Sequence, residues 1–315
     1  MTRWRNLLFG IWLVLFAVPG LYAQDSSIWR RVADGYFTVY FQPEDSLNAK
    51  TILAILREEY PLIRHDMDAE LNIPVGLFIA PSFQSFTRLT GGAVPHWGEA
   101  VADPIRQIIV IKSPRWARPS DALRTIVIHE LIHLMTGQMA GPVRVPRWLN
   151  EGLAIYFSGE TQYLEARQVS RAQLTRQLIP LESIDAVLSF EQNKAHLAYA
   201  ESFLAVSFLI EQYGENSIPI LLNHLRKSGD FRMAFQKTYG QPFFQFEKEW
   251  RYYLKEKYRW SIFLEFETIV WGGIVLLFFI AVLAIFYRNR RTMARWEAEE
   301  SSSSSSPYIS GDPGA

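Results

Sequence analysis

A stretch of 19 residues without a charged side chain, residues 269–287, constrains the fold of this chain more than any other feature. At about 1.5 Å per residue, a helix of that length reaches about 29 Å, which matches the hydrocarbon core of a bilayer. A buried core helix is the alternative, but core helices are seldom apolar on every face over such a length. We therefore predict a transmembrane helix over residues 268–287.

The two termini on either side of the main domain are predicted to lie outside its fold. Residues 1–23 combine Arg3 and Arg5, an apolar run and a small residue, Ala23, which is the pattern of a secretory signal peptide. An uncleaved signal anchor is the alternative, because Leu21 suits a cleavage site less well than alanine. Residues 288–315 contain six consecutive serines and a Pro/Gly-rich end, so we predict a disordered tail there.

The signal peptide and the charges after the apolar stretch predict the orientation. Arg288, Arg290 and Arg291 follow the stretch directly, and positive charge favours the cytoplasmic side of a membrane. The sequence therefore predicts a single-pass protein of the cell membrane, with residues 24 to about 266 outside the cytoplasm and the tail inside.

Composition excludes several classes of function. The chain has 32 basic and 32 acidic residues and a formal net charge of zero, without a basic cluster in the main domain. This balance argues against nucleic acid as a partner. The chain has no cysteine, which excludes disulfides, thiolate metal sites and cysteine nucleophiles, so a metal site must use His, Asp or Glu.

The main domain is predicted to be α+β, with an α/β lobe at 24–119 and a helical lobe at 120–260. The first lobe alternates short β-rich and apolar runs with helical periodicity. The second is almost entirely helical in its spacing, with Gly-containing breaks. Strands are predicted at 36–41, 73–80, 97–102 and 107–112, and helices at 46–70, 82–89, 120–139, 146–157, 171–178, 195–213, 215–227, 231–239 and 243–260.

The clearest chemical motif lies at the junction of the two lobes. His129, Glu130 and His133 form the pattern His-Glu-x-x-His within a predicted helix for which Ser120 is a suitable N-cap. Four residues are just over one helical turn, so both imidazoles project from one face and can share a metal ion. Glu130 lies at the edge of that face, where it can reach a metal-bound water without becoming a ligand.

A catalytic zinc site needs a third protein ligand and an open fourth position. Glu151 is the candidate, on a second helix that Pro146 can open at its first turn. Gly137, Gly141 and Pro142 would let the chain turn back between the two helices. The alternative is that the histidines are merely a packed pair, although the inner glutamate and the spaced Glu151 argue against it.

At this point the sequence resembles a known family. The segments HELIH at 129–133 and WLNEGLA at 148–154 look like those of the gluzincin metallopeptidases, and most closely the peptidase MA-like domains of bacterial membrane or secreted proteins. The resemblance implies an α/β lobe, an active-site helix and a helical lobe. It implies one Zn²⁺ held by His129, His133 and Glu151, with Glu130 as the general base, and a bacterial origin.

A softer match concerns the residue that stabilises the oxyanion. In related aminopeptidases a tyrosine occupies the stretch that corresponds to Tyr199, so the resemblance implies that role for Tyr199, with His196 as a substitute. Packing within the helical lobe is an equal alternative for Tyr199. The aminopeptidase segment GAMEN has no counterpart before the active-site helix, which favours an endopeptidase or a peptidase of narrow specificity. Residues 97–102 could instead pair with an extended substrate or form an ordinary strand.

These features together predict a membrane-anchored zinc metallopeptidase that hydrolyses peptide bonds outside the cytoplasm, with a zinc-bound water activated by Glu130. Its partners would be a peptide or protein substrate and, through one C-terminal helix, the membrane. The alternative is a non-catalytic gluzincin-like zinc module that binds a peptide or protein at the membrane surface. A metal-dependent hydrolase with a non-peptide substrate is a third hypothesis.

Overall fold

The structure is a computed structural model, which describes residues 29–92, 98–117, 122–160, 169, 172, 177–257 and 261–303. The predicted signal peptide, the Ser120 N-cap and the end of the tail from residue 304 lie outside these residues. So do Trp97, at the start of a predicted strand, and most of the predicted helix at 171–178.

Within the described residues the fold is mixed α+β, 69% helical with a small sheet, as predicted. The strands are β1 (Arg30–Asp34), β2 (Phe37–Phe41), β3 (Val75–Ala80), β4 (Ala100–Asp103) and β5 (Ile108–Lys112). The helices are α1 (Ser46–Asp66), α2 (Phe83–Thr90), α3 (Pro114–Ala117), α4 (Leu123–Ala140), α5 (Arg147–Ser158), α6 (Gln192–Tyr213), α7 (Ser217–Ser228), α8 (Phe231–Tyr239), α9 (Phe243–Lys257) and α10 (Ser261–Ser303). Short 3₁₀ turns cover Pro43–Asp45 and Leu181–Ser189.

The five strands form one sheet in the order β1-β2-β3-β5-β4. The central strands β2, β3 and β5 run parallel, and each edge strand pairs antiparallel with its neighbour. The strand pair predicted before α4 is therefore confirmed as β4 and β5. The sequence analysis missed β1, because Arg30–Asp34 carries three charges in five residues and offers no apolar run.

Helix boundaries differ from the predictions by a few residues. α1 ends at Asp66 rather than at residue 70, and it continues through Pro61 instead of breaking there. α4 begins at Leu123, with Ala122 in the extended conformation before it. Gly137 lies in the last turn of this helix, where an added Cβ would lie only 2.5 Å from Cβ of Pro104. The β4–β5 turn therefore packs directly against α4 at a position that only glycine allows.

Aromatic packing joins α5 to the last helices of the lobe. Trp148 is fully buried and stacks on Phe243, with ring centroids 5.7 Å apart. Phe246 lies beneath it, and its ring centroid is 6.2 Å from that of Trp148. Because aromatic side chains bury large apolar areas, this cluster fixes the helix that carries Glu151 against α9.

A buried carboxyl group holds the segment before the 3₁₀ turn at Leu181–Ser189. Both oxygens of Glu201, on α6, accept a hydrogen bond from the Ile179 backbone N–H at 3.1 Å. Burial raises the pKa of Glu201 to about 8, against the opposing effects of this hydrogen bond and of Arg251. The folded protein therefore keeps this group protonated at pH values where the unfolded chain ionises it.

We expect Glu201→Gln to remove a pH dependence of stability. In the wild type, stability from this group is fully present below the unfolded pKa near 4.5 and is lost as the pH rises through about 8. The loss is about 1.4 kcal/mol for each pH unit within that window. Melting temperatures of both proteins between pH 5 and 8 would test it, and parallel profiles would contradict it.

The C-terminal helix contains the predicted transmembrane segment. Within α10, Val270–Glu297 is long and apolar enough to cross a membrane, and none of its most apolar window is buried against the rest of the chain. The helix continues to Ser303, into the region where the sequence analysis predicts a disordered tail. Residues 290–300 are mostly Arg, Ala, Met and Glu, which are strong helix formers, so local propensity can extend the helix without any packing.

Candidate functional site

The two motif histidines lie one turn apart on α4, as the spacing predicts. Their Nε2 atoms face each other at 3.0 Å, and the rings meet edge to face. The flanking Ile128, Leu131 and Ile132 are fully buried. This packing fixes α4 in the core while both imidazoles stay partly open to solvent, with 19% and 13% of their side chains exposed.

The third predicted ligand joins the histidines from the next helix. Oε2 of Glu151, on α5, lies 3.7 Å from Nε2 of His129 and 3.6 Å from Nε2 of His133. A tetrahedral ion with bonds of about 2.0–2.1 Å needs ligand atoms roughly 3.3–3.4 Å apart. The three atoms lie close to that spacing, so the geometry and the donor types both fit one zinc ion.

A glycine allows α5 to reach this position. A Cβ on Gly152 would lie 2.4 Å from the Ser202 carbonyl oxygen and 2.5 Å from Cγ2 of Val206, both on α6. Helices normally pack 8–10 Å apart at distances set by the side chains between them. The absence of a side chain at Gly152 lets the two helices approach closely, directly beside Glu151.

The predicted base, Glu130, is buried beside the cluster. Its carboxylate accepts a hydrogen bond from the backbone N–H of Ala102, in the edge strand β4. Burial raises the pKa of Glu130 above its usual value, although the two histidines act in the opposite direction. A carboxylate with a raised pKa is a better proton acceptor near neutral pH.

The structure adds one residue that the sequence analysis missed. The carboxylate of Glu160 contacts Nδ1 of His129, the ring nitrogen other than the Nε2 that faces His133. Gly159, in the left-handed conformation with φ of 73°, ends α5 and turns the chain so that Glu160 reaches back. The hydroxyl of Ser158 donates to the same carboxylate at 3.0 Å. The sequence signal that could have indicated this contact was a glycine followed by an acidic residue at the end of α5.

The charges of these groups are strongly coupled. Burial favours the neutral form of His129, but its hydrogen bonds to Glu151 and Glu160 outweigh this and raise its pKa well above the usual value. Burial also favours neutral Glu151, yet the two histidines hold the pKa of this carboxyl far below its usual range. Two carboxylates thus flank His129, an arrangement that suits a cation at the centre of the cluster.

We expect Glu160→Gln to weaken zinc binding by about 10–100-fold, the usual effect of losing a carboxylate that orients a ligating imidazole. Competition with a chromophoric zinc chelator would measure the change. Ser158→Ala is the matched control, because it removes one hydrogen bond to Glu160 but keeps the carboxylate, and it should have a smaller effect. Equal zinc affinity in wild type and Glu160→Gln would contradict the role.

The remaining site candidates lie on α6. Tyr199 and His196 are separated by one helical turn and are both partly buried. Tyr199 packs against the main core, one turn before the Ser202 that meets Gly152. Its part in oxyanion stabilisation, and that of His196, stays a prediction.

Sequence comparison identifies the family. The family model described as the peptidase MA superfamily matches residues 61–256, more than half of the chain. The chain belongs to the peptidase MA superfamily. The match begins within α1 and ends within α9, so it includes three of the five strands, the His/His/Glu cluster and the helical lobe. This confirms the resemblance on which the sequence analysis rests. Peptidase MA proteins are typically zinc-dependent.

One curated relative is bacterial. The "Uncharacterized protein YhcO" of Bacillus subtilis (strain 168) is 22% identical over 134 residues. The aligned part covers 40% of this peptidase MA chain and 39% of YhcO, so the similarity spans about two fifths of the relative's length.

Proposed function

We propose that this protein is a membrane-anchored, zinc-dependent metallopeptidase that hydrolyses peptide bonds outside the cytoplasm. The observation that carries the proposal is the cluster of two imidazole nitrogens and one carboxylate oxygen, 3.0–3.7 Å apart, with a further carboxylate beside it. Membership of the peptidase MA superfamily supports the activity. A structural zinc site would have no need of a buried base such as Glu130.

His129, His133 and Glu151 would hold the zinc ion through Nε2, Nε2 and Oε2. Bound there, zinc would supply Lewis-acid chemistry, lowering the pKa of a water ligand toward about 7 and polarising the scissile carbonyl. Glu130 would accept the proton of the attacking water and deliver it to the leaving amine. Glu160 would keep the proton of His129 on Nδ1, which leaves the Nε2 lone pair available.

Two further assignments belong to this proposal. Tyr199 would donate its hydroxyl to the developing oxyanion, with His196 as the substitute. An endopeptidase is favoured over an aminopeptidase, because no GAMEN-like segment precedes α4. The edge position of β4, which touches Glu130 through Ala102, supports pairing of this strand with an extended peptide backbone.

The membrane topology rests on α10 and on the sequence at the N-terminus. The apolar part of Val270–Glu297, up to residue 287, would cross the bilayer. The peptidase domain would lie outside the cytoplasm, and the arginines from Arg288 onward would lie at the cytoplasmic side. A signal peptide at 1–23 and a bacterial origin complete this part of the proposal, and the relative in Bacillus subtilis supports the latter.

A comparison of zinc-loaded and chelator-stripped protein would test the activity. Full-length protein in detergent micelles would be incubated with an unbiased peptide mixture, and mass spectrometry would identify the cuts. Cleavage that follows the zinc content would establish a metallopeptidase. Absence of cleavage by folded, zinc-loaded protein would favour the alternative of a zinc module that binds a peptide or protein partner, and cleavage independent of zinc would contradict the mechanism.

A further inference from the structure

An arginine at the start of α5 contacts the third ligand of the cluster. Nη1 of Arg147 lies 3.2 Å from Oε1 of Glu151, whereas the other oxygen, Oε2, contacts the two histidines. Arg147 and Glu151 are four residues apart, so they share one face of α5. The carboxylate of Glu151 therefore lies between the guanidinium group and the proposed metal position.

Most of the donors of Arg147 remain unused. A guanidinium has five N–H groups in a planar fork, and the part of the chain that the structure describes gives this one a single side-chain partner, Glu151. The side chain keeps 27% of its surface exposed. Arg–carboxylate pairs are frequently bidentate, whereas this contact uses one hydrogen bond.

A backbone hydrogen bond positions Arg147 at the start of α5. The Arg147 backbone N–H donates to Oδ1 of Asp185 at 2.8 Å, which ties the first turn of α5 to the 3₁₀ turn. Arg144 approaches the other oxygen of Asp185 at 3.5 Å and is mostly exposed. The N-terminal turn of a helix also carries partial positive charge. Asp185 thus already takes up the charge of the helix start and of Arg144, and the guanidinium of Arg147 is the group that has N–H donors left for a further anion.

We propose that Arg147 binds a carboxylate of the substrate close to the scissile bond, so that the enzyme prefers acidic peptides. The inference rests on the proposed function and narrows its substrate class. Carboxylates match the planar guanidinium fork in geometry and charge. The carboxylate can belong to an acidic side chain or to the C-terminus of the peptide, and these two sources share the same recognition chemistry.

A binding experiment tests this without requiring cleavage. Zinc-loaded full-length Glu130→Gln would be immobilised and offered three libraries of N-acetylated octapeptides. The first has neutral side chains and a C-terminal amide, the second neutral side chains and a free C-terminal carboxylate, and the third acidic side chains and an amide. Mass spectrometry of the retained peptides would measure the preference, and fluorescence anisotropy of a preferred peptide would give its Kd.

We expect at least one of the carboxylate libraries to be retained roughly tenfold more than the neutral library, as charged hydrogen bonds are expected to give. The library that is retained identifies the source. Adding Arg147→Gln should abolish this preference while zinc content stays unchanged. Arg144→Gln is the matched control, since it removes a nearby charge that does not contact Glu151, and it should keep the preference.

Three results would overturn the inference: equal retention of all three libraries, a preference that survives Arg147→Gln, or loss of zinc from both Arg147→Gln and Arg147→Lys. The last would mean that the arginine acts on Glu151 rather than on the substrate. The preference could depend on Arg147 although the wild type cleaves no peptide. That result would support carboxylate binding by Arg147 and refute the proposed peptidase activity.

Discussion

Replacing Glu130 with glutamine is expected to lower the rate of peptide hydrolysis by roughly 10²–10⁴-fold, the usual contribution of a general base. Glutamine has nearly the same shape and can still accept the hydrogen bond from Ala102, but it cannot take a proton. Zinc should remain bound, because Glu130 supplies none of the three ligand atoms that lie together in the cluster. Initial rates at a cleavage site found with the wild type would measure the loss.

The control for this variant is its metal content together with its melting temperature. Normal values of both with the activity lost would assign Glu130 to the chemistry rather than to folding. A Glu130→Gln protein that cleaves at the wild-type rate would contradict the base, and one that has lost its zinc would point to a ligand role instead.

Gly152→Ala is expected to destabilise the protein by about 1–3 kcal/mol or more, which is the usual range for overpacking a core. The new methyl group would lie 2.4 Å from a backbone oxygen of α6, and a backbone atom cannot move aside as a flexible side chain can. The helices must separate, and this shifts Glu151 relative to the two histidines. We therefore expect a lower melting temperature together with weaker zinc binding.

Gly272→Ala provides the matched control for that experiment. It is the same substitution within a helix, but a Cβ at Gly272 meets nothing within 4 Å. It should leave both the melting temperature of the peptidase domain and its zinc affinity unchanged. A Gly152→Ala protein that behaves like this control would show that the close approach of α5 and α6 is unnecessary.

Local sequence signals predicted much of the fold and of the cluster. The spacing of His129 and His133 is a property of one helix, so it could be read without tertiary structure. Helix α8 was predicted with the bounds that the structure has, since Asp230 caps its start and Gly240 ends it. The sequence analysis missed strand β1, because its charged residues form a strand only through pairing with β2.

Long-range contacts account for what the sequence could not show. The contact between Glu130 and Ala102 depends on how the sheet packs against α4, and no pattern within either segment encodes it. The pairing of Glu160 with His129 depends on the direction in which the chain leaves α5 after Gly159. The spacing of Arg147 and Glu151 along one helix could have predicted their contact. Its relevance to the site became clear only from the position of Glu151 beside the histidines.

The groups proposed to bind zinc and the group that sets the environment of the base come from different parts of the chain. One continuous helix–turn–helix segment contains His129, His133, Glu151 and Glu160. The edge strand β4, which contacts Glu130, belongs to the preceding lobe. Because synthesis starts at the N-terminus, all five strands are made before the segment that carries the histidines and Glu151. We therefore expect a nascent chain to complete its sheet before it can acquire its metal, so that an unfinished protease would have no zinc with which to digest its neighbours.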